Sequence, residues 1–373
     1  PLLATSANIS GEPVLTDNAE VEQRLAHVAE ACLHHDRPIE RPADDPVFRT
    51  IAARPRPIRL GRGFAPGEFT LPFELEKPLL AVGAHMKNTV TLAWNNRAVM
   101  SPHIGEMDSA RSLMVFEQTI EDLQRLYNVK VEGLVCDAHP GYTTSRWARD
   151  QGLPLYTVFH HHAHASSAYY ECAAGEPLLV FTWDGVGFGV DGSLWGGEAL
   201  LGVPGEWHRV ASMRPFHLPG GDKAGREPWR SAAALCWETR SETSVLPEDS
   251  ALLFEAWQRR VNSPRSTAVG RLFDAAAALT GVCSTASFEG QGPMLFEALC
   301  GEPGSSIELT LEESDNLLII NWEPLVDAML DSTLSVSARA SLFHASLAQA
   351  LLQQARSIRE EHGVNTVSLS GGV

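Results

Sequence analysis

With 373 residues, 44% hydrophobic and 20% charged, the chain has an ordinary globular composition and exceeds one compact core, so two or three domains are expected. Its formal net charge of −17 excludes a general nucleic-acid binder, which needs a basic footprint to displace counterions. No apolar run approaches transmembrane length, no signal-peptide pattern is present, and Cys32, Cys136, Cys172, Cys236, Cys283 and Cys300 form no CxxC pair. A cytoplasmic protein with free thiols and no membrane association is expected.

Residues 1–66 read as a small unit: an Asn/Ser/Gly turn, a helix over 18–32, and an exit broken by Pro55, Pro57, Gly61, Gly63 and Pro66. Seven arginines (Arg37, Arg41, Arg49, Arg54, Arg56, Arg59 and Arg62) stand there against Glu40, Asp44 and Asp45. That island is either an anion-facing surface or a solvated linker. Residues 67–78 read as a linker. Residues 79–215 alternate: strands over 79–82 and 89–94, a helix over 109–127, a strand over 131–137, a helix over 143–151, a strand over 155–159 and a helix over 161–173. A hairpin-like pair at 178–183 and 193–202 follows. Such alternation predicts a layered α/β domain. Residues 220–373 read as mostly helical, with an amphipathic helix over 341–362 and a strand over 366–369. The chain starts without Met and stops beside that strand, so both ends are expected to cut through structure.

The residues that carry chemistry are concentrated. In His160-His161-His162-Ala163-His164, two imidazoles four residues apart share one helical face, and neutral imidazole is the commonest transition-metal ligand. One histidine alone is usually a satisfied core residue, but four in five residues point to a metal or catalytic role. His161 and His162 are expected to point away from the His160/His164 face, one of them serving at most as an orienting group. The segment from Asp184 through Gly185, Gly187, Gly189 and Gly192 follows a strand and is either a phosphate-approaching loop or a glycine-rich hairpin. The stretch 219–230 carries Asp222, Arg226 and Arg230, a set that suits a planar anion or a mere surface loop. In Gly270-Arg271-Leu272-Phe273-Asp274, the aspartate lies one helical turn in, either accepting from ribose hydroxyls or facing solvent.

Taken together, these pieces resemble a known family. Ser6-Ala7-Asn8-Ile9-Ser10-Gly11-Glu12-Pro13, Asp36-Arg37-Pro38-Ile39 and Asp44-Asp45 look like the end of a YrdC-type nucleotide-binding domain. Gly83-Ala84-His85-Met86-Lys87-Asn88-Thr89, His103-Ile104-Gly105-Glu106 and Asp137-Ala138-His139-Pro140-Gly141-Tyr142 continue the match. With the histidine run, the Asp184 loop, Leu194-Trp195-Gly196-Gly197-Glu198, the 220–230 loop, 270–274 and Ser370-Gly371-Gly372-Val373, they resemble the adjoining module of the HypF carbamoyltransferases, which mature nickel–iron hydrogenases.

The resemblance implies an α/β fold: a partial YrdC-like domain (1–66), a linker (67–78), and an actin/sugar-kinase-like, two-lobed ribonuclease-H-like domain similar to TsaD. The first lobe would span 79–215, and 216–373 would hold a helical insertion and the start of the second lobe. His160 and His164 would bind a divalent metal, zinc or iron, with magnesium a further candidate. Ser6, Asn8 and Arg37 would contact nucleotide in the YrdC-like part. Lys87, Asn88, Gly185 and Gly187 would line the phosphates, Gly270 and Asp274 the ribose, and Gly371 and Gly372 the nucleotide lobe. Asp184, Asp222, Arg226 and Arg230 would be catalytic. The family makes carbamoyl adenylate from carbamoyl phosphate and ATP and carbamoylates the C-terminal cysteine of its partner HypE, the precursor of the cyanide ligands. By the same resemblance a third metal ligand, an Asp in a glycine-rich turn, is expected beyond Val373, so this stretch is expected to be one ligand short and incapable of turnover by itself. Gly61 (Arg in many members) and Thr267-Ala268 depart from the pattern. Two other readings stay open: an antibiotic-tailoring O-carbamoyltransferase, in which the YrdC-like domain follows the transferase module, and a non-catalytic nucleotide- or metal-binding piece.

Overall fold

A computed structural model describes residues 5–9, 11–172, 175–242, 247, 250–301 and 304–372, except for the side chain of Asp222. The chain divides into two compact units, 1–158 and 159–373. The expected lobe boundary at residue 215 is therefore not where it separates.

In the first unit, α1 (Asn18–Leu25) is capped by Asp17, whose side chain accepts from Glu20 N at 2.9 Å. It ends seven residues before the expected helix does. The Pro/Arg-rich exit forms an antiparallel hairpin, β1 (Val47–Ile51) and β2 (Arg54–Arg59), turned through Ala52 and Ala53 at φ 50° and 59°. Then come β3 (Gly67–Ala81), β4 (Thr91–Met100), α2 (Ala110–Tyr127), β5 (Gly133–Asp137), α3 (Thr143–Asp150) and β6 (Leu155–Val158). The sheet order is β4-β3-β5-β6, with β3/β4 antiparallel and the other pairs parallel. Leu80, Val82, Leu92, Phe116, Ile120, Leu123 and Leu134 form its core.

Residues 67–78 are thus no linker; they make up most of β3. The reason they read as one is visible in the register. The β3/β4 ladder jumps between Thr70 and Leu75 and again between Leu75 and Leu79, and Pro72 and Pro78 fall in those two gaps. A residue without an N–H is tolerated where the ladder is interrupted.

The second unit holds α4 (His160–Cys172), β7 (Leu178–Phe188), β8 (Leu194–Val203), β9 (Glu206–Met213), β10 (Phe216–His217), a 3₁₀ turn (Gly221–Gly225), α5 (Trp229–Thr239), α6 (Ser250–Gln258), β11 (Arg265–Ser266) and α7 (Val269–Leu279). It continues with α8 (Gln291–Ala298), β12 (Leu311–Ser314), β13 (Leu317–Ile320), α9 (Glu323–Leu330), α10 (Val336–His362) and β14 (Val367–Ser370). Its strands make one mixed sheet in which β7 lies between β8 and the parallel β14. The later half of the chain is helical as expected, yet β10–β13 also join this sheet.

Two packing facts position the site. Along α4, His161, Ala165 and Ala168 recur at helical spacing and are buried with Leu178, Val180, Trp195 and Leu200. Every residue of α7 is buried, and Ala275–Ala278 pack in the same core as Ala232 and Ala234 of α5, where side chains this small let helix backbones approach closely.

Candidate functional site

The N-terminus of α4 and the end of the inner part of β7 bring three histidines onto one aspartate. Asp184 Oδ2 lies 3.2 Å from His160 Nε2 and 3.6 Å from His164 Nε2, while its Oδ1 lies 3.2 Å from His161 Nε2. One donor atom from each of His160, His164 and Asp184 falls within 4.8 Å of the others. Donors sharing one tetrahedral ion at about 2.1 Å stand roughly 3–3.5 Å apart, and the two His–Asp184 separations of 3.2 and 3.6 Å are close to that spacing. His164 Nδ1 is engaged by Ser370 Oγ at 3.2 Å, which leaves Nε2 as the nitrogen facing Asp184.

The electrostatics agree with a cation-binding role. Burial alone would push the Asp184 carboxyl up, but charge on His161 and the contacts from His160, His161 and His164 outweigh it and hold it well below the usual carboxylate range. The positive end of the α4 dipole acts in the same direction. Gly187 is required here, since a Cβ on it would come within 2.5 Å of His161 and 2.7 Å of His160.

This arrangement corrects two expectations. Beside the two imidazoles, Asp184, expected as a catalytic residue, stands where it could offer a third donor. His161 does not point away from it; it is fully buried and bonds the far oxygen of Asp184. The Asp184–Gly192 stretch closes a hairpin between β7 and β8, with Gly189 N donating to Ser193 O at 3.0 Å. Within it the β7/β8 ladder skips residues 184–186, between Trp183 and Gly187.

Behind the Asp184–Gly185 peptide lies a second charged group. Gly270, in the first turn of α7, packs so tightly that a Cβ would sit 2.8 Å from Gly185 Cα and 2.9 Å from Asp184 O. Arg271 reaches toward Gly185 and Gly225, and its Nη1 pairs with Asp274 Oδ2 at 2.9 Å. Asp274 is buried, which excludes the solvent-facing alternative; burial pushes its carboxyl to about 6 against the opposing pull of Arg271, with Glu289 adding to the rise. Gly371 lies against the backbone of Trp183, while a Cβ on Gly372 would meet open space.

The 220–230 loop is folded on itself. Arg230 pairs with Glu227 and stacks on Trp229 at 4.7 Å, and the backbone carbonyl of Arg226 accepts from Ala286 N at 2.9 Å. The side chain of Asp222 lies outside the described residues. In the first unit, Ser6, Asn8 and Lys87 line a cleft of about 650 Å³ with Arg59, Arg62 and His103. Arg37 is exposed and outside that lining. Asn88, expected at the phosphates, is buried; its Nδ2 donates to Val82 O at 3.2 Å and closes the 83–88 turn.

Known proteins share this arrangement of segments. The HypF Kae1-like domain matches residues 74–171, the second subdomain of the carbamoyltransferase Kae1-like domain matches 180–373, and the Sua5/YciO/YrdC model, described as telomere recombination, matches 1–61. A carbamoyltransferase HypF from Synechocystis is 36% identical over the whole chain and 51% of its own length. A HypF homolog from Cupriavidus necator is 34% identical over 79% of the chain and 80% of its own. The crystal structure of a full-length HypF in phosphate- and nucleotide-bound form superposes with a TM-score of 0.93 at 32% identity, covering 99% of this chain and 60% of that one. HypF from T. kodakarensis gives 0.88 at 28% identity, over 99% and 51%. The chain spans about half the length of most of the curated relatives it matches. It belongs to the HypF family of carbamoyltransferases.

Proposed function

We propose that this chain carries the carbamoyl-transfer centre of a hydrogenase-maturation enzyme of the cytoplasm. The donor would be carbamoyl adenylate, made from carbamoyl phosphate and ATP by the whole protein, and the acceptor the C-terminal cysteine of HypE. The observation that carries this reading is the convergence of His160, His164 and Asp184 on one point. The order of the matched segments, YrdC-type before Kae1-like, favours the hydrogenase branch over the antibiotic-tailoring one.

Carbamoyl adenylate is a mixed anhydride. Attack by the acceptor thiolate forms a C–S bond and places negative charge on the carbonyl oxygen; collapse breaks the C–O bond to phosphate and AMP leaves with the electron pair. A divalent cation such as zinc or iron, when bound, supplies electrophilic polarisation of that oxygen or of the leaving phosphate. The chain's own residues prepare the site. Asp184 stays ionised, and His161 fixes its rotamer by holding Oδ1. Ser370 orients His164. The skipped ladder positions around Gly185 offer backbone N–H groups to a phosphate, while Asp274, paired with Arg271, offers acceptor oxygens for sugar hydroxyls.

The test is to supply full-length protein with ATP, carbamoyl phosphate and HypE and to follow carbamoylation of the HypE cysteine by mass spectrometry. Modified cysteine with the native sequence, and none after His160→Ala plus His164→Ala, is the expected result. Undiminished product in the double variant would overturn the assignment.

A further inference from the structure

Glu198 is the most completely satisfied buried acid among the described residues, and no step above uses it. It sits in β8 with no exposure to solvent. Its Oε2 accepts from the backbone N–H groups of Gly196 at 2.6 Å and Gly197 at 2.7 Å. Its Oε1 accepts from Thr267 Oγ1 at 2.5 Å, Arg209 Nη2 at 2.8 Å and Ser212 Oγ at 3.1 Å. Replacing a buried ion by packed apolar groups is often neutral or stabilising, so a stability role alone gives weak reason for placing a carboxylate here.

What these donors adjoin gives the reason. Gly196 is the floor beneath Asp184: a Cβ there would lie 2.8 Å from Asp184 Oδ1 and 2.7 Å from the Cβ of Ala268. Thr267 and Ala268 lead into α7, whose Gly270 abuts the Asp184–Gly185 peptide from the other side. One carboxylate thus ties together the two backbone segments between which Asp184 is held. Arg209, itself stacked on Trp195 at 4.4 Å, pins that carboxylate from the sheet side.

We propose that Glu198 is a positioning residue for Asp184: by clamping Gly196–Gly197 to Thr267, it fixes the backbone floor against which the carboxylate, held at Oδ1 by His161, turns Oδ2 toward His160 and His164. It touches neither substrate nor metal. The inference rests on the metal reading given above. Groups that hydrogen-bond a metal ligand directly typically change metal affinity about 10- to 100-fold when altered, and Glu198 stands one contact further out.

Co²⁺ is the probe, because its visible absorption reports coordination geometry as well as occupancy. Titrate the native chain, Glu198→Gln, Thr267→Val and the His160→Ala/His164→Ala pair with Co²⁺ well below their melting temperatures, and record each metal-free melting curve. The proposal expects weakening of up to about tenfold and an altered spectrum in Glu198→Gln, with a smaller shift of the same kind in Thr267→Val. Unchanged affinity and spectrum in both, whatever their melting temperatures, would overturn it. Thr267→Val, which removes one donor without adding charge or volume, carries the test if Glu198→Gln does not fold. Failure of the native chain to bind Co²⁺, or binding that survives loss of both histidines, would instead sink the metal reading and this inference with it.

Discussion

Asp184 and Asp274 are both buried in the second unit, one on either side of the Gly185–Gly270 contact, yet their carboxyls are driven in opposite directions. Desolvation penalises the ionised form of each. Around Asp184 three imidazoles more than compensate; around Asp274 a single arginine does not, and Glu289 adds like charge. Burial therefore does not decide whether an acid is charged; the number and sign of the groups within reach do. One aspartate is held ionised beside three imidazoles, and the other is raised to about 6.

The comparison is broken most severely at Asp184. Asp184→Asn should weaken Co²⁺ or Zn²⁺ binding by more than about 100-fold, since it replaces an anionic donor by a neutral amide where even supporting groups cost 10- to 100-fold; isothermal titration checks it. Next, Asp274 gives a pH signature. Its folded value of about 6 lies above the ordinary 3.8, so its contribution to stability is fully present below the lower value and is lost as pH rises through the higher one. Asp274→Asn should abolish that slope, leaving the variant more stable than the native chain at pH 7 by on the order of 3 kcal/mol and nearly equal at pH 3.5. Urea melts across this range would show it, and parallel curves would refute it. Asp184 runs the other way: its contribution is present above the unfolded carboxylate value and is lost as pH falls through its depressed folded one.

Smaller effects sharpen the contrast. Gly270→Ala forces a methyl against the Asp184–Gly185 backbone and should cost roughly 1–3 kcal/mol by thermal or chemical melting. Ser370→Ala, which frees His164 Nδ1, should weaken metal binding by about tenfold or less and leave the Asp274 pH slope untouched.

The pair His160/His164 was legible because four-residue spacing on a helix is a local property of the sequence. The third candidate donor was not, because it comes from a strand, and nothing in the Asp184 loop says which helix its carboxylate will meet. His161 was misjudged for a related reason. A helical wheel correctly turns it away from its neighbours' face, but Asp184 has two oxygens and reaches both faces at once. Ser370 lies 206 residues from its partner His164, a separation no window on the sequence can bridge. Proline misled in two places: Pro72 and Pro78 made a strand look like a linker, and Pro55 and Pro57 hid the β1/β2 hairpin. Pro72 and Pro78 fall where a ladder is interrupted, whereas Pro55 and Pro57 pair in register within a two-stranded hairpin, whose strands are both edges.

The alanine-lined helix α7 has a mechanical consequence. Alanine has no side-chain torsion with which to absorb a displacement, and close-packed interiors transmit strain more readily than they deform. Ala275–Ala278 are buried in the core and Gly270 and Asp274 lie on the same helix, so close packing couples a displacement at Asp274 to the Asp184–Gly185 peptide that Gly270 abuts.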